Sequence, residues 1–482
     1  MPTETELKLR IDPASINVML NSGLFESEPD LVEQTSVYFD TPEHALRKGG
    51  YSLRIRDADG RRTQTVKATT PASAGLFARS EWERLVEDDN PVLDHSTPLQ
   101  NQIGKELEGL APLFEVVVER RKWVVTEGQS EIEIALDKGF IRAADRHVPI
   151  CEIELELKGG GIEGIFDLAR KLGGVVAFHF EVMTKAERGY RLLETAKTVF
   201  KAEPLSLEPS SNVTGALQQI AASCFRHFRL NEAFLLDRRN PESLHQARVA
   251  LRRLRSAFST FKPVTRDAES SRLCGELKWL AAVLGEARNI DVMLKESKED
   301  PVRKRLLGAR AQAYDDVVNA LTSERARLLM LDFNRWLVCG DWLRDPASTE
   351  HRGMPAEVFG VAALDRLRKR MKKHGGGFSE TDDEHRHQVR KDAKKLRYAA
   401  EFFGTLFDGK KAKRRYRRFI DLMATLQDGL GSLNDIATRP QVLQKLGIET
   451  DAIRAGVNSK ADLIGKAEDA LADVLEAKRF WR

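Results

Sequence analysis

The stretch Glu4-Thr5-Glu6-Leu7-Lys8-Leu9-Arg10 decides how the first part of this chain folds, because charged and apolar residues alternate in it with the two-residue period of a β-strand. In a strand, Glu4, Glu6, Lys8 and Arg10 share one face and Leu7 and Leu9 the other. One such face alone is ordinarily a solvated sheet surface. Two carboxylates beside two cations also begin a site for metal ions and phosphate, since hard divalent cations take oxygen ligands and phosphoryl groups take Lys and Arg. Recurrence separates the two readings.

The pattern recurs. After a helix-like stretch at 13–22, strand signals follow at Thr35–Asp40, Tyr51–Arg56, Arg62–Ala68, Arg79–Val86, Phe114–Thr126, Ser130–Ile141 and Val148–Lys158, most of them divided by Gly, Pro, Asp or Asn. With the first stretch that makes about eight antiparallel strands, a number that can close a barrel. One face of each carries Leu53, Ile55, Val66, Trp82, Leu85, Ile132, Ile134, Leu136, Ile153, Leu155 or Leu157. The other is charged: Arg54 and Arg56; Thr63, Thr65 and Lys67; Arg79, Glu81 and Glu83; Arg120 and Lys122; Glu131, Glu133 and Asp137; Glu152, Glu154, Glu156 and Lys158. Carboxylates fall on the strands at 4–8, 131–137 and 152–156, and cations mainly at 54–56, 67 and 120–122. A polyphosphate–metal complex needs that separation, with oxygens for the metal on one wall and cations for the remaining phosphate oxygens on another. The apolar faces are expected to pack on helices such as Gly164–Leu172.

These residues resemble the CYTH, or triphosphate tunnel metalloenzyme, family over residues 1–195. The resemblance rests on Glu4-x-Glu6-x-Lys8, Tyr38-Phe39-Asp40-Thr41-Pro42, Leu53-Arg54-Ile55-Arg56, the Lys67 strand, Gly75-Leu76 before Arg79-x-Glu81, Glu131-Ile132-Glu133 with Asp137, Cys151-Glu152-Ile153-Glu154-Leu155-Glu156, and Lys185-Ala186-Glu187-Arg188-Gly189-Tyr190. It implies an eight-stranded antiparallel tunnel that binds a triphosphate with Mg2+ or Mn2+. Glu4, Glu6, Glu133, Glu152 and Glu154 would then be metal ligands. Lys8, Arg54, Arg56, Lys67, Arg120, Lys122, Lys185 and Arg188 would hold phosphate, and the catalytic set would be Glu4, Glu6, Lys8, Arg54, Arg56 and Lys67. Arg79, Glu81, Glu83, Asp137 and Glu156 stand equally as tunnel or rim residues.

The chain has 482 residues, enough for two or three domains. Residues 1–200 carry 25 Lys and Arg against 34 Asp and Glu, and the remainder 52 against 39, so a net charge of +4 hides an acidic and a basic half. The prolines of Glu203-Pro204-Leu205-Ser206-Leu207-Glu208-Pro209-Ser210-Ser211 mark the boundary, giving domains at 1–203 and 213–482 with a linker at 204–212. Four scattered cysteines, Cys151, Cys224, Cys274 and Cys339, fit neither a zinc site nor a disulfide framework. No apolar run is long enough to cross a bilayer and no signal peptide precedes the first strand, so a cytoplasmic protein with no membrane partner is expected.

From Val213 onward the apolar spacing is helical, as at Leu217, Ile220, Ala221, Cys224, Phe225 and Phe228. This half repeats itself: His245-x-x-Arg248-x-x-x-Arg252-x-x-Arg255 recurs as His387-x-x-Arg390-x-x-x-Lys394-x-x-Arg397. At about 100° per residue each set lies on one helix face. Leu284-Gly285-x-x-Arg288-Asn289-x-Asp291 and Leu430-Gly431-x-x-Asn434-Asp435 follow at matching places. A lone charged stripe is usually a solvated face, but acidic partners are sparse here and basic clusters follow at Arg366–Lys373 and Lys410–Arg418, which favours a polyanionic partner. Nucleic acid is disfavoured, since the interleaved aromatics are few, chiefly Trp279 and Tyr398.

The second half resembles the CHAD family over about 213–480, which implies an all-α domain of two pseudo-symmetric helical bundles that binds inorganic polyphosphate through the two stripes. CYTH followed by CHAD is the order of two-domain bacterial inorganic triphosphatases. The expected activity is cleavage of inorganic triphosphate to pyrophosphate and phosphate, with association with polyphosphate granules as a corollary. A nucleoside or thiamine triphosphatase, an adenylate cyclase, and a polyphosphate-binding scaffold with a degenerate tunnel are the alternatives.

Overall fold

The computed structural model describes residues 3–25, 27–69, 74–297, 300–448 and 460–482. The chain divides into two compact units, Met1–Phe200 with Thr322–Cys339, and Lys201–Leu321 with Gly340–Arg482.

Among the described residues the first unit contains nine strands: β1 (Thr3–Ile11), β2 (Asp30–Asp40), β3 (Tyr51–Ala58), β4 (Arg61–Ala68), β5 (Leu76–Leu85), β6 (Ala111–Glu127), β7 (Ser130–Ala143), β8 (Arg146–Gly159) and β9 (Phe178–Phe180). Its helices are the short α1 (Ile16–Leu20), α2 (Ala45–Lys48) and α3 (Leu99–Gln102), then α4 (Glu163–Val175) and α5 (Lys185–Leu193). The strand order is β5-β4-β3-β2-β6-β7-β8-β1-β9, and β5 also pairs with β1. Eight antiparallel strands therefore close on themselves. β1 makes the closure: one edge carries β8, and the other carries β5 along Thr3–Leu7 and β9 along Leu9–Ile11.

Closure removes the exposed strand edges, and the pleat sorts the residues. Leu7, Leu9, Leu53, Val66, Ile132, Ile134, Ile153 and Leu155 point out of the barrel yet are buried. On one side they meet α4, whose Ile165, Phe166, Ala169 and Leu172 are fully buried. Each such Leu or Ile contributes about 1.5–3 kcal/mol. On another side Phe39, Leu46, Leu53, Ile55, Val66, Leu99 and Leu107 form a separate cluster under the short helices.

A helix distant in sequence, Glu324–Cys339, belongs to this unit and lies against α4. Ion pairs join Arg335 to Asp167 at 2.8 Å and Arg170 to Asp332.

One end of the barrel interior is apolar. Tyr38, Phe114, Val116, Val118, Ile141 and Ile150 form a cluster there with Ala186 and Tyr190 of α5. Phe114, Val116 and Val118 share their strand face with Arg120 and Lys122, so a single face of β6 changes from apolar to cationic along its length. α5 is fixed at its start by a reciprocal Thr184–Glu187 capping box. Gly189 lets it approach: a Cβ there would lie 2.1 Å from the Phe114 ring. Tyr190 donates its hydroxyl to Asp40 at 2.6 Å, and Asp40 also accepts from the backbone N–H groups of Thr41, Leu46 and Arg47.

The second unit is helical, as the apolar spacing predicts. In it α6 (Val213–Arg238), α7 (Pro241–Thr260), α8 (Ala268–Glu296) and α9 (Asp300–Thr322) precede α10, the Glu324–Cys339 helix of the first unit. α11 (Thr349–Gly353), α12 (Ala356–His374), α13 (Asp383–Phe403), α14 (Lys410–Lys445) and α15 (Lys460–Glu476) follow. Side chains of Asn212, Asn240, Asp267 and Asp382 cap α6, α7, α8 and α13. α6 packs on α7 and α7 on α8; α12 packs on α13 and α13 on α14. The two stripe-bearing helices, α7 and α13, also touch each other. No helix among the described residues is long and apolar enough to cross a membrane.

Candidate functional site

Around the closed barrel, β7, β8 and β1 are consecutive, and so are β4, β3, β2 and β6. The strands that carry the carboxylates thus form one continuous wall, and those with Arg54, Arg56, Lys67, Arg120 and Lys122 form the facing one. Between them lies a cavity of about 210 Å³ lined by Glu4, Glu6, Lys8, Gln34, Tyr38, Arg54, Arg56, Lys67, Arg120, Lys122, Glu133, Glu154 and Lys185, among others. Arg79, Glu81, Glu83 and Glu156, whose placement the sequence leaves open, line it too.

The side chains do not keep the two signs as far apart as the strands suggest. Lys8 lies between Glu6, at 2.9 Å, and Glu154. Lys67 contacts Glu4 at 2.6 Å and Glu81 at 3.1 Å, and Arg79 meets Glu6 at 2.5 Å. Lys185 reaches Asp137, Glu152 and Glu154 at 2.7, 2.5 and 2.8 Å. Arg188 pairs with Glu152 at 2.7 Å and donates to the Pro149 carbonyl. Charges this deeply buried must be compensated nearby, so the interior forms an interlocked network.

Two guanidiniums depart from that pattern. Arg54 Nε and Arg56 Nε are buried without a hydrogen-bond partner among the described residues, and Arg54 otherwise makes only a long 3.4 Å contact with the Tyr38 hydroxyl. These are spare donors on residues that line a cavity carrying both carboxylates and cations.

Asp137, undecided from sequence, is completely buried and holds Arg120 through two contacts of 2.6 Å. Glu152 is almost fully buried beside it, toward α5, and Glu133 has its nearest cation, Lys158, at 3.9 Å. Arg10 is no part of the lining; across the strands it faces Glu152 and His179.

The titration behaviour follows from these contacts. Burial alone would raise the pKa of Glu154, but Lys185, Lys8 and Arg120 hold it well below the usual carboxylate range. Burial likewise opposes charge on Lys185 and Lys8, yet Asp137 and Glu152 around the first and Glu154 and Glu6 around the second raise both. Glu156 goes the other way: burial, then the negative charges of Glu4 and Glu133, push it up in spite of Lys158.

The buried carboxylates supply oxygens of the kind a hard divalent cation takes, with the Lys185 ammonium lying among three of them. Asp137, Glu152 and Glu154 each offer an oxygen within 4.8 Å of the others, and the negative charges of Glu4 and Glu133 act on Glu156.

In the second unit the stripes are not equivalent. Burial and then Arg252, Arg288 and Arg390 push the Arg248 pKa down to about 10, so cations from both stripes converge beside Arg288. Buried nitrogens of Arg248, Arg288 and Arg390 have no hydrogen-bond partner among the described residues. Gly285 makes the room: a Cβ there would lie 2.6 Å from Arg248 Nη1. Asp291 of the same motif accepts from Arg310 and from the Tyr314 hydroxyl, each at 2.7 Å, tying α9 to α8. The stripe ends diverge. Arg255 is exposed, whereas Arg397 binds Glu401 and Gln427 at 3.0 and 3.1 Å. Asn434 accepts from Arg390 at 3.1 Å and lies 2.9 Å from His387 Nδ1. Tyr398 is buried, accepts a 2.8 Å hydrogen bond from Arg252 and presents no face for base stacking.

A closed antiparallel barrel with a charged tunnel, followed by helical hairpins that gather cations between two repeats, defines the class. Residues 2–190 match the CYTH domain family and residues 219–444 the CHAD domain family; the chain is a CYTH domain followed by a CHAD domain. It is similar to an inorganic triphosphatase of Haemophilus influenzae, with 32% identity over 209 residues, 40% of this chain and 55% of that protein. An uncharacterized Mycobacterium tuberculosis protein is 26% identical over 255 residues, 48% of this chain and 47% of that one. The aligned part spans about half the length of these curated relatives. The crystal structure of the CHAD domain from the plant Ricinus communis superposes with a TM-score of 0.49 at 28% identity, covering 58% of this chain and 97% of that one.

Proposed function

We propose that the tunnel hydrolyses inorganic triphosphate to pyrophosphate and phosphate with Mg2+ or Mn2+, and that the helical unit binds inorganic polyphosphate. One observation carries the first part: Arg54 and Arg56 hold unpartnered buried donors toward a cavity whose far wall is carboxylate. Two guanidiniums with spare donors suit phosphate oxygens, which accept several charge-assisted hydrogen bonds at once.

In this reading Arg54, Arg56 and Lys122 bind the phosphate chain. Arg120, held by Asp137 and Glu154, adds fixed positive charge where leaving pyrophosphate develops negative charge. Glu4, Glu6, Glu133, Glu152 and Glu154, with Asp137 beside Glu152 and Glu154, are the carboxylates from which the ligands of a divalent cation would come, and such a cation would supply phosphate neutralisation and a more acidic water. Water attacks the terminal phosphorus, the bond to the bridging oxygen breaks, and no side chain forms a covalent intermediate. α5 and the apolar cluster around Phe114 close one end against bulk water.

The lining favours a small inorganic substrate over a nucleotide or thiamine triphosphate. Its only aromatic among the described residues is Tyr38, with its hydroxyl at Arg54 and its ring stacked on Phe114, so a base or thiazole finds little surface. Phosphate release from triphosphate, ATP, thiamine triphosphate and long-chain polyphosphate, each with and without a chelator, tests the reading. The expected result is chelator-sensitive release that is fastest with triphosphate. Faster turnover of ATP or thiamine triphosphate would overturn the substrate assignment, and chelator-insensitive release would overturn the metal.

The polyphosphate reading rests on the cationic cluster shared by α7, α8 and α13. Binding to many Lys and Arg is expected to weaken steeply with salt, because each neutralised phosphate releases counterions.

A further inference from the structure

Lys394 sits on α13 among like charges. α7 packs on α13, so Arg248 and Arg252 face Lys394 from α7 and Arg390 from one turn earlier on its own helix; buried nitrogens of Arg248 and Arg390 have no hydrogen-bond partner among the described residues, and Asp435 of α14 is a nearby carboxylate. From α12, Arg370 and His374 are turned away, both paired with the buried Asp392 on another face of α13. Arg288 of α8 crowds Arg248 and His245 from behind. Arginines keep their protons in such a cluster, so the cheapest relief of the repulsion is for the lysine to lose its own.

We propose that this cluster takes up a proton when it closes on a polyanion, with Lys394 as the group that gains it, so that polyphosphate binding by the helical unit is coupled to pH. The inference rests on the polyphosphate reading above and adds regulation to it. Burial, then Arg252, Arg390 and Arg248, push Lys394 down to about 6, so its amine is largely neutral above that pH in the free protein. Phosphate oxygens placed against Arg248, Arg252 and Arg390 reverse the local potential and return the ammonium form.

The sign follows from linkage. Above about pH 6 each binding event consumes up to one proton at Lys394, so affinity falls as pH rises, by at most about tenfold per unit, and levels off below about 6. His245, held down to about 4 by burial and Arg288, stays neutral through this range and does not share the effect.

The test uses the full chain and inorganic polyphosphate of defined length at constant ionic strength, with affinities measured between pH 6 and 9 for the native protein, K394R and K394M. Arginine keeps its charge throughout and methionine has none, while all other titrating groups are common to the three. The native affinity is expected to match K394R near pH 6 and to approach K394M near pH 9. Calorimetry in two buffers of different ionisation enthalpy should show up to about one more proton taken up by the native protein than by either variant, and one folded variant suffices for that comparison. Equal proton uptake and parallel pH profiles in all three would overturn the coupling and leave polyphosphate binding standing. Absence of polyphosphate binding at every pH would overturn both.

Discussion

Arg120 of β6 and Asp137 of β7 face each other across neighbouring strands and make a two-pronged ion pair, Nε to Oδ1 and Nη2 to Oδ2, both at 2.6 Å inside the barrel. Asp137 also carries Lys185 at 2.7 Å, so one buried carboxylate positions two cations from different elements. Asp137→Asn keeps the shape but leaves Arg120 and Lys185 undercompensated. It is expected to destabilise the first unit by about 3–5 kcal/mol, the usual cost of breaking a buried pair from one side, read from the denaturant midpoint.

Glu4 accepts from Lys67 at 2.6 Å and lies in the lining. If it is a ligand in a metal-dependent hydrolysis, Glu4→Gln should lower kcat by orders of magnitude while the unfolding midpoint stays within about 1 kcal/mol of the native value. Near-native turnover at saturating Mg2+ would remove Glu4 from the ligand set.

If Arg54 and Arg56 bind phosphate as proposed, Arg54→Ala and Arg56→Ala should each raise KM and lower kcat together, because the lost contacts would serve phosphate oxygens whose charge redistributes during cleavage. Their Nε donors have no partner among the described residues, so folding should suffer less than in Asp137→Asn. Normal kinetics in either variant would place the phosphates elsewhere.

Acid should destabilise the tunnel. Asp137 and Glu154 are lowered from ordinary values of 3.8 and 4.5 by Arg120 and Lys185, working against burial. The stability they contribute is therefore present above about pH 4.5 and is lost as pH falls through their lower folded values. Lys8 and Lys185 are raised above 10.5, so their share is fully present below that value and is lost only as pH rises through their folded values. Thermal unfolding between pH 3 and 7, followed by β-sheet circular dichroism, should show a midpoint flat above about pH 5 and falling below it.

Cutting the chain after Pro204 would spare every tunnel-lining residue but remove α10 from α4. The ion pairs Arg335–Asp167 and Arg170–Asp332 would go with it. The shortened protein is expected to keep triphosphate hydrolysis at 25 °C and to unfold several degrees lower, since uncovering apolar surface costs about 25 cal/mol per Å². An unchanged melting temperature would show that α10 contributes nothing to the tunnel unit.

Much of this architecture is written in local pattern. The alternation in Glu4–Arg10, in Leu53–Arg56 and in Cys151–Lys158 sets strands and faces, and the spacing of Leu217, Ile220, Ala221 and Cys224 sets a helix, because side-chain periodicity is fixed by backbone geometry over a few residues. The repeated His-x-x-Arg stripes are legible for the same reason. Tertiary structure alone decided that β1 pairs with both β8 and β5, setting Glu6 and Lys8 beside Glu154 and Arg79, since strand pairing over more than a hundred residues leaves no local trace. It decided that one face of β6 is a plug at Phe114 and a cationic wall at Arg120, because what lies opposite that face changes from α5 to a charged cavity. It also decided that Asp137 is an interior anchor and not a rim charge, and that Lys8, Lys67 and Lys185 pair with carboxylates: a charge removed from water is balanced by whichever opposite charge the fold brings within reach, however far away in sequence.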